Sequence, residues 1–172
     1  METTKNELTA RQKKFLSGLS NYLDTTFYYF GSIQRDDYIK GQSDIDIDIF
    51  TDNEESMMTK LSHYLHISKK SFRKVVWNLR NVNKVAIGYK VKFINDFITA
   101  EFCVYNVKIK KELLHEHNSK IILPFYCSIL LNFIKLLYYK LHILPDAYYA
   151  KIKRKIFSFG LGMYTDDEFV LI

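Results

Sequence analysis

The chain has 172 residues and a mass of 20.5 kDa, with 48% hydrophobic and 16% aromatic residues. That is too apolar for a disordered polypeptide and long enough for one domain with a substantial core. A net charge of +6 and a pI near 9.1 persist despite 19 acidic residues, which favours anionic partners such as NTP or nucleic acid, although lysine-rich solubilisation gives the same total.

Cys103 and Cys127 are the only cysteines and have no paired or metal-ligand spacing, so a reducing, cytoplasm-like compartment is expected. The polar opening through Arg11 lacks the apolar run of a signal peptide, which makes secretion an unexpected fate.

Thr4 and Glu7 have the spacing of a capping box, and Leu8, Phe15, Leu16, Leu19 and Leu23 recur at helical intervals, so the pattern predicts a helix over about residues 7–22. An aromatic, strand-like run over 26–30 then meets Gly31 and Ser32. There the chain turns, and backbone N–H groups and a hydroxyl can meet a phosphate. Past a polar connection, Asp44, Asp46 and Asp48 alternate with Ile45, Ile47 and Ile49, and a strand's period of two puts the carboxylates on one face.

Same-face neighbours on a strand sit about 6.6 Å apart, where two bare like charges repel by roughly 2 to 3 kcal/mol at an effective dielectric near 20. Three readings relieve this. Water solvates the acids, the strand is an edge protected by charge, or hard divalent cations neutralise it.

The order of a strand, Gly31-Ser32, a connection of about ten residues and then Ser43-Asp44-Ile45-Asp46 resembles the nucleotidyltransferase superfamily with the DNA polymerase beta-like palm, particularly its minimal members. The resemblance runs over roughly residues 26–105 and is sharp from 31 to 46. It implies that Gly31 and Ser32 hold a nucleoside triphosphate while Asp44 and Asp46 bind two Mg2+ ions, with Mn2+ as a substitute. Arg35 falls where many minimal members carry a second basic residue. The glycine that usually follows is absent, since Asp36 and Asp37 occupy its place. Asp46 and Asp48 offer a second register for the pair, but Ser43 and the distance from Ser32 favour Asp44 and Asp46. Asp48 then stands behind the metal ligands or faces solvent.

Thr51, Asp52 and Asn53 are cap candidates for a second helix reaching about residue 66, with Met57, Leu61 and Leu65 on its buried face and His63 and His66 at its surface or boundary. Lys69, Lys70, Arg73 and Lys74 surround Phe72 in a basic patch, open to a phosphate backbone or simply solvated. Residues 75–79 fit a helix or a strand, and Asn81 with Asn83 marks a turn.

Two strands follow over 84–94 and 97–105, joined at Asn95 and Asp96. In the second, the resemblance implies a third carboxylate, and Glu101 is its only acid; the family more often has aspartate, and Asp96 is the substitute candidate.

A short helix over 110–117 carries His115 and His117, expected at the surface. Residues 121–139 approach the length of a membrane span, but Pro124, Asn132 and Lys135 interrupt them, so a buried helix is expected and no membrane partner. Asp146 can cap a last helix through about residue 157. Lys151, Lys153, Arg154 and Lys155 near its end either complement the helix dipole or hold a phosphate chain, and Gly160 and Gly162 mark its breakdown.

The expected fold is α+β: a nucleotidyltransferase-like mixed sheet with helices on one face, in a palm-like core over 1–109, and a helical C-terminal subdomain over 110–172. The expected activity is metal-dependent transfer of a nucleoside monophosphate from an NTP to a hydroxyl acceptor, an RNA or DNA end being one candidate. Asp44, Asp46 and Glu101 are the catalytic and metal-holding residues, and Gly31, Ser32 and Arg35 hold the nucleotide. The alternative is a palm without turnover that binds nucleotide, nucleic acid or a partner.

Overall fold

The isoleucines at 45, 47 and 49 decide which side of the aspartate strand faces inward. The computed structural model describes residues 2–79, 82–119, 121–161 and 169–171; of the turn assigned to Asn81 and Asn83, Asn83 is in a turn with φ +48°, while Asn81, like Gly162, lies outside the described residues. Helix α1 (Ala10–Leu23) leads into β1 (Tyr28–Phe30), a 3-10 turn over Gly31–Gln34, and β2 (Ile45–Thr51). Next come α2 (Glu54–Leu65), β3 (Arg73–Leu79), β4 (Lys84–Ile94) and β5 (Thr99–Asn106). Helices α3 (Lys110–Ser119) and α4 (Phe125–Lys135), a π turn over Leu136–Lys140, α5 (Asp146–Leu161) and β6 (Phe169–Leu171) complete the chain.

The strands make one sheet in the order β1-β2-β5-β4-β3-β6. Strands β2 and β5 are parallel and the other neighbours antiparallel, giving the expected mixed α+β architecture with a helical C-terminal part.

Alternation sorts the side chains. Ile45, Ile47 and Ile49 are fully buried with Phe102, Val104 and Val91 against Leu16 and Leu19 of α1 and Leu61 of α2. Each large apolar side chain so withdrawn from water contributes about 1.5 to 3 kcal/mol, and this layer pins β2 in register. The aspartates are thereby forced onto the opposite face. The far end of that face is closed by α3, where Leu113 packs on Tyr28, Phe50 and Tyr105. Trp77 Nε1 donates a hydrogen bond to Tyr105 Oη at 2.9 Å beside it.

Helix α1 begins later than its pattern suggests, with Thr9 and Gln12 forming the capping box in place of Thr4 and Glu7. The preceding residues are held elsewhere: Asn6 Nδ2 donates to the carbonyls of Ile33 and Arg35, and Glu7 pairs with Lys40 at 2.8 Å. Residues 75–79, which suited helix or strand, lie in β3 because β4 offers an antiparallel partner. Asn95 builds the β4–β5 turn by accepting bonds from the Phe97 and Ile98 amides.

Helix α5 continues past residue 157 to Leu161. Gly160 does not end it: a Cβ there would fall 2.4 Å from Cys127 Sγ, so this glycine lets α5 lie close on α4. Among the described residues no helix is long and apolar enough to cross a membrane.

Helices α4 and α5 share their own apolar cluster, with Cys127, Leu131 and Ile134 facing Tyr149 and Ile156. Their tie to the sheet is ionic. Lys135, 1% exposed, lies 2.9 Å from Asp37 Oδ2 and 3.3 Å from Ser43 Oγ, and donates to the Asp37 carbonyl. Arg35 Nε reaches the same carboxylate at 2.8 Å while its guanidinium lies 4.9 Å from the centre of the Phe157 ring.

Burial pushes the Asp37 carboxyl up, but the charges of Arg35 and Lys135 outweigh it and hold its pKa below the usual value; burial lowers that of Lys135. Removing one member strands a buried charge, which typically costs about 3 to 5 kcal/mol. Lys135→Ala is therefore expected to reduce unfolding free energy by about 3 kcal/mol or more in urea titration, with the m-value unchanged if the unit stays cooperative.

Candidate active site

Strand register brings the acids together. Phe30 of β1 pairs with Asp46 of β2, Asp46 with Glu101 of β5, and Glu101 with Lys92 of β4, so these four side chains share one row on one face. The next row holds Tyr28, Asp48, Cys103 and Lys90. Asp44, one residue before β2, is on the same side as Asp46 by the two-residue period. The three sequence-predicted carboxylates thus lie on a common face, contributed by adjacent parallel strands.

The Gly-Ser turn closes over this row. Gly31 has φ +71°, and a Cβ on it would stand 2.0 Å from Asp46 Oδ2, so no other residue allows the turn to press this closely on the carboxylate. Ser32 is buried, and its Oγ is 3.5 Å from the Asp44 carbonyl.

Arg35 is placed differently from the expectation of an open phosphate contact. It is 8% exposed, with Nε and Nη2 both directed to Asp37. Asp36 is exposed and pairs with Lys5 at 2.6 Å. Both acids that follow Arg35 have partners: Asp37 anchors the turn from within, and Asp36 is held at the surface.

Two lysines that the sequence reading passed over face the acids. Lys92 Nζ lies 3.2 Å from Asp44 Oδ2 and 3.9 Å from Glu101 Oε1, and Lys90 pairs with Glu101 Oε2. Their i, i+2 spacing on a strand antiparallel to the one bearing Glu101 was the available signal, usable only once β4 and β5 are put in register.

The electrostatics follow. Burial raises the Asp46 pKa to about 6, with the charge of Glu101 adding and that of Asp44 a smaller contribution, while Lys153 and Lys90 oppose. Burial alone would lower Lys90, but Glu101 and Asp46 hold it above its ordinary value. Cys103 is pushed well up by burial, so its thiol keeps its proton and is no nucleophile.

Asp48 is not solvent-facing. It is fully buried, and His117 of α3, 4% exposed and hence not at the surface as expected, puts Nε2 3.0 Å from its Oδ2. Among the described residues neither Asp48 oxygen nor this Nε2 has an aligned hydrogen bond. Burial raises the Asp48 pKa and the proximity of His117 opposes it. The His117 ring is stacked on Phe30 at 4.2 Å between centroids, a contact between elements far apart in sequence that no local pattern announces.

The basic cluster of α5 divides in two. Lys153 is half-buried and acts on Asp46, whereas Lys151, Arg154 and Lys155 are exposed along an open groove of about 470 Å³ with Ala147 and Ser158. Because α5 runs on to Leu161, none of these cations is in its last turn, and the dipole no longer accounts for them. In the other basic patch, Lys69 is taken by Glu55 and Thr59.

The donor chemistry of Asp44, Asp46 and Glu101 fits hard divalent cations, and two ammonium groups already drawn into the acids stand in for such charge. As the side chains stand, no three His, Cys, Asp or Glu among the described residues are gathered closely enough to hold an ion. Lys92 bridges Asp44 and Glu101 at the place where a metal ion would have to draw them together.

Comparison with known proteins adds one match: a family model described as a nucleotidyltransferase domain aligns with residues 10–123. No curated protein and no solved structure matches the chain.

The raised Asp46 carboxyl makes stability depend on pH. Its folded pKa of about 6 exceeds the ordinary carboxylate value, so folding favours the protonated form and stability is lost as pH climbs through about 6. Asp46→Asn is expected to melt a few degrees above the wild type at pH 8 without metal, with the gap closing below about pH 4; two pKa units bound the effect at roughly 3 kcal/mol.

Proposed function

The chain belongs to the nucleotidyltransferase family, and from that premise we propose that it transfers a nucleoside monophosphate from an NTP to a hydroxyl acceptor with release of pyrophosphate. The general activity, nucleotidyl transfer with a nucleotide substrate, comes with the family. The finer reading is carried by one observation: Asp46 and Glu101 pair across parallel strands, with Asp44 on the same face and the Gly31-Ser32 turn pressed against them.

In this reading Asp44, Asp46 and Glu101 hold two divalent ions, Mg2+ or Mn2+. Bound ions would neutralise the phosphates and lower the pKa of the acceptor hydroxyl. The turn at Gly31 and Ser32 orients the triphosphate through backbone N–H and hydroxyl donors. Lys153, whose charge already acts on Asp46, neutralises the leaving pyrophosphate.

The acceptor oxygen bonds to the α-phosphorus as the bond to the pyrophosphate oxygen breaks, and the acceptor's proton passes to the carboxylate of Glu101. Arg35 works from behind, locking the turn to Asp37 and Phe157. An RNA or DNA end is the acceptor that the net charge of +6 and the exposed cations of α5 favour.

A second reading, a palm that binds nucleotide without turning it over, is favoured by the lysines: Lys90 and Lys92 satisfy the acids that metal ions would need. Incubating the protein with labelled NTPs, Mg2+ or Mn2+, and RNA or DNA oligonucleotides separates the two. Transfer is expected, and Asp44→Ala and Asp46→Ala should each reduce it by a hundredfold or more. A nucleotide-dependent rise in Tm with no incorporation would instead establish the binding module.

The lysine also makes a prediction of its own. The Lys92 side chain is 45% exposed, and screened pairs of this kind contribute less than about 1 kcal/mol. Lys92→Ala should therefore bind Mn2+ about two- to fivefold more tightly by calorimetry, because the metal no longer competes with an ammonium group.

A further inference from the structure

Helix α4 is mostly apolar, with Ser128, Asn132 and Lys135 its polar residues, and its apolar side chains are only partly covered. Its inner face meets α5, while Phe125, Ile129 and Phe133, four residues apart along the outer face, are 77%, 61% and 56% exposed. Ile122 before the helix and Phe159 of α5 extend the patch at 83% and 76% exposure. Tyr126 joins Phe125 to Phe159 through edge-on ring contacts of 5.8 and 5.9 Å, so the patch is continuous. An apolar stripe on a helix normally faces a core or a partner. Here the stripe of Phe125, Ile129 and Phe133 is left in water.

We propose that this face is a self-association surface, on which a second copy of the chain packs α4 against α4. Area is the first reason. At roughly 150 to 250 Å² per large side chain, these exposures leave on the order of 700 Å² of apolar surface, above the ~300 to 600 Å² of the largest patch on a typical monomer and close to the ~800 Å² each partner gives to a stable interface.

Charge is the second. The chain's net charge of +6 would oppose self-association elsewhere, but the one charged residue of α4, Lys135, is turned inward to Asp37. Helix α4 itself therefore brings no charge to the contact, whereas on α5 the exposed Lys155 stands one turn before Phe159. Length argues against insertion in a bilayer, since 11 helical residues rise about 16 Å against a hydrocarbon core of about 30 Å.

The spacing of Phe125, Ile129 and Phe133 forms a single ridge, and two such ridges interdigitate at a crossing angle near −50°. A two-fold axis beside Ile129 then sets Phe125 of each copy against Phe133 of the other. Because Lys135 ends the same helix, the association would brace the clamp behind the Gly-Ser turn.

Analytical ultracentrifugation of the whole chain at micromolar concentration is expected to show a dimer. Ile129→Lys and Phe133→Lys should each weaken it at least tenfold while leaving the circular dichroism unchanged, since both positions face outward. Ile129→Cys should cross-link two chains under mild oxidation, whereas Lys60→Cys on the exposed side of α2 should not; the native Cys103 and Cys127 are buried and do not interfere. A wild type that sediments as a monomer, a dimer untouched by both lysine substitutions, or capture of the monomer by phosphatidylcholine vesicles would each overturn the proposal.

Discussion

Everything in this molecule answers to the crowding of Asp46 and Glu101. Two carboxylates set opposite each other on parallel strands, one of them desolvated enough to raise its pKa to about 6, are a local cost that the sheet does not need. They are kept there because the strand carrying Asp46 cannot slip: a shift of one residue would turn Ile45, Ile47 and Ile49 out of the core. The apolar layer under α1 and α2 thus holds the acids in place, and Lys90, Lys92 and Lys153 supply the positive charge that makes the arrangement tolerable.

A second ionic device keeps the helical part in position. Arg35 and Lys135 converge on Asp37 from the turn and from α4, so one buried carboxylate joins the Gly-Ser loop to a helix nearly a hundred residues later. Such a triad adds little net stability, but losing one member leaves charge unpaired in the interior.

The features legible in the sequence were those with a short period. The Asp-Ile alternation, the Gly-Ser bend, the strand pair around Asn95 and the placement of Glu101 opposite its apolar neighbours all lie within a dozen residues of their own explanation. What stayed hidden depends on contacts across the chain. Nothing near Lys90 or Lys92 says that they face Glu101 until β4 is laid against β5.

Likewise, nothing near His117 foretells its stacking on Phe30, and Asp48 is buried because α3 covers it. Thr4 and Glu7 made a valid capping pattern that lost to another one, Thr9 and Gln12, because the first residues were needed along the 31–36 turn. The cations of α5 looked terminal only because Gly160 looked like a stop, when its missing side chain makes room for Cys127.

The chain's single tryptophan, Trp77, donates its indole N–H to Tyr105 and meets the edge of the His117 ring, whose Nε2 in turn approaches Asp48. The lone indole fluorophore is therefore wired, through one imidazole, to the residue next but one from Asp46. Its emission is a native optical probe of the acidic face: a displacement of α3, or a change of charge beneath it, alters the quenching of that one ring without any label having to be attached.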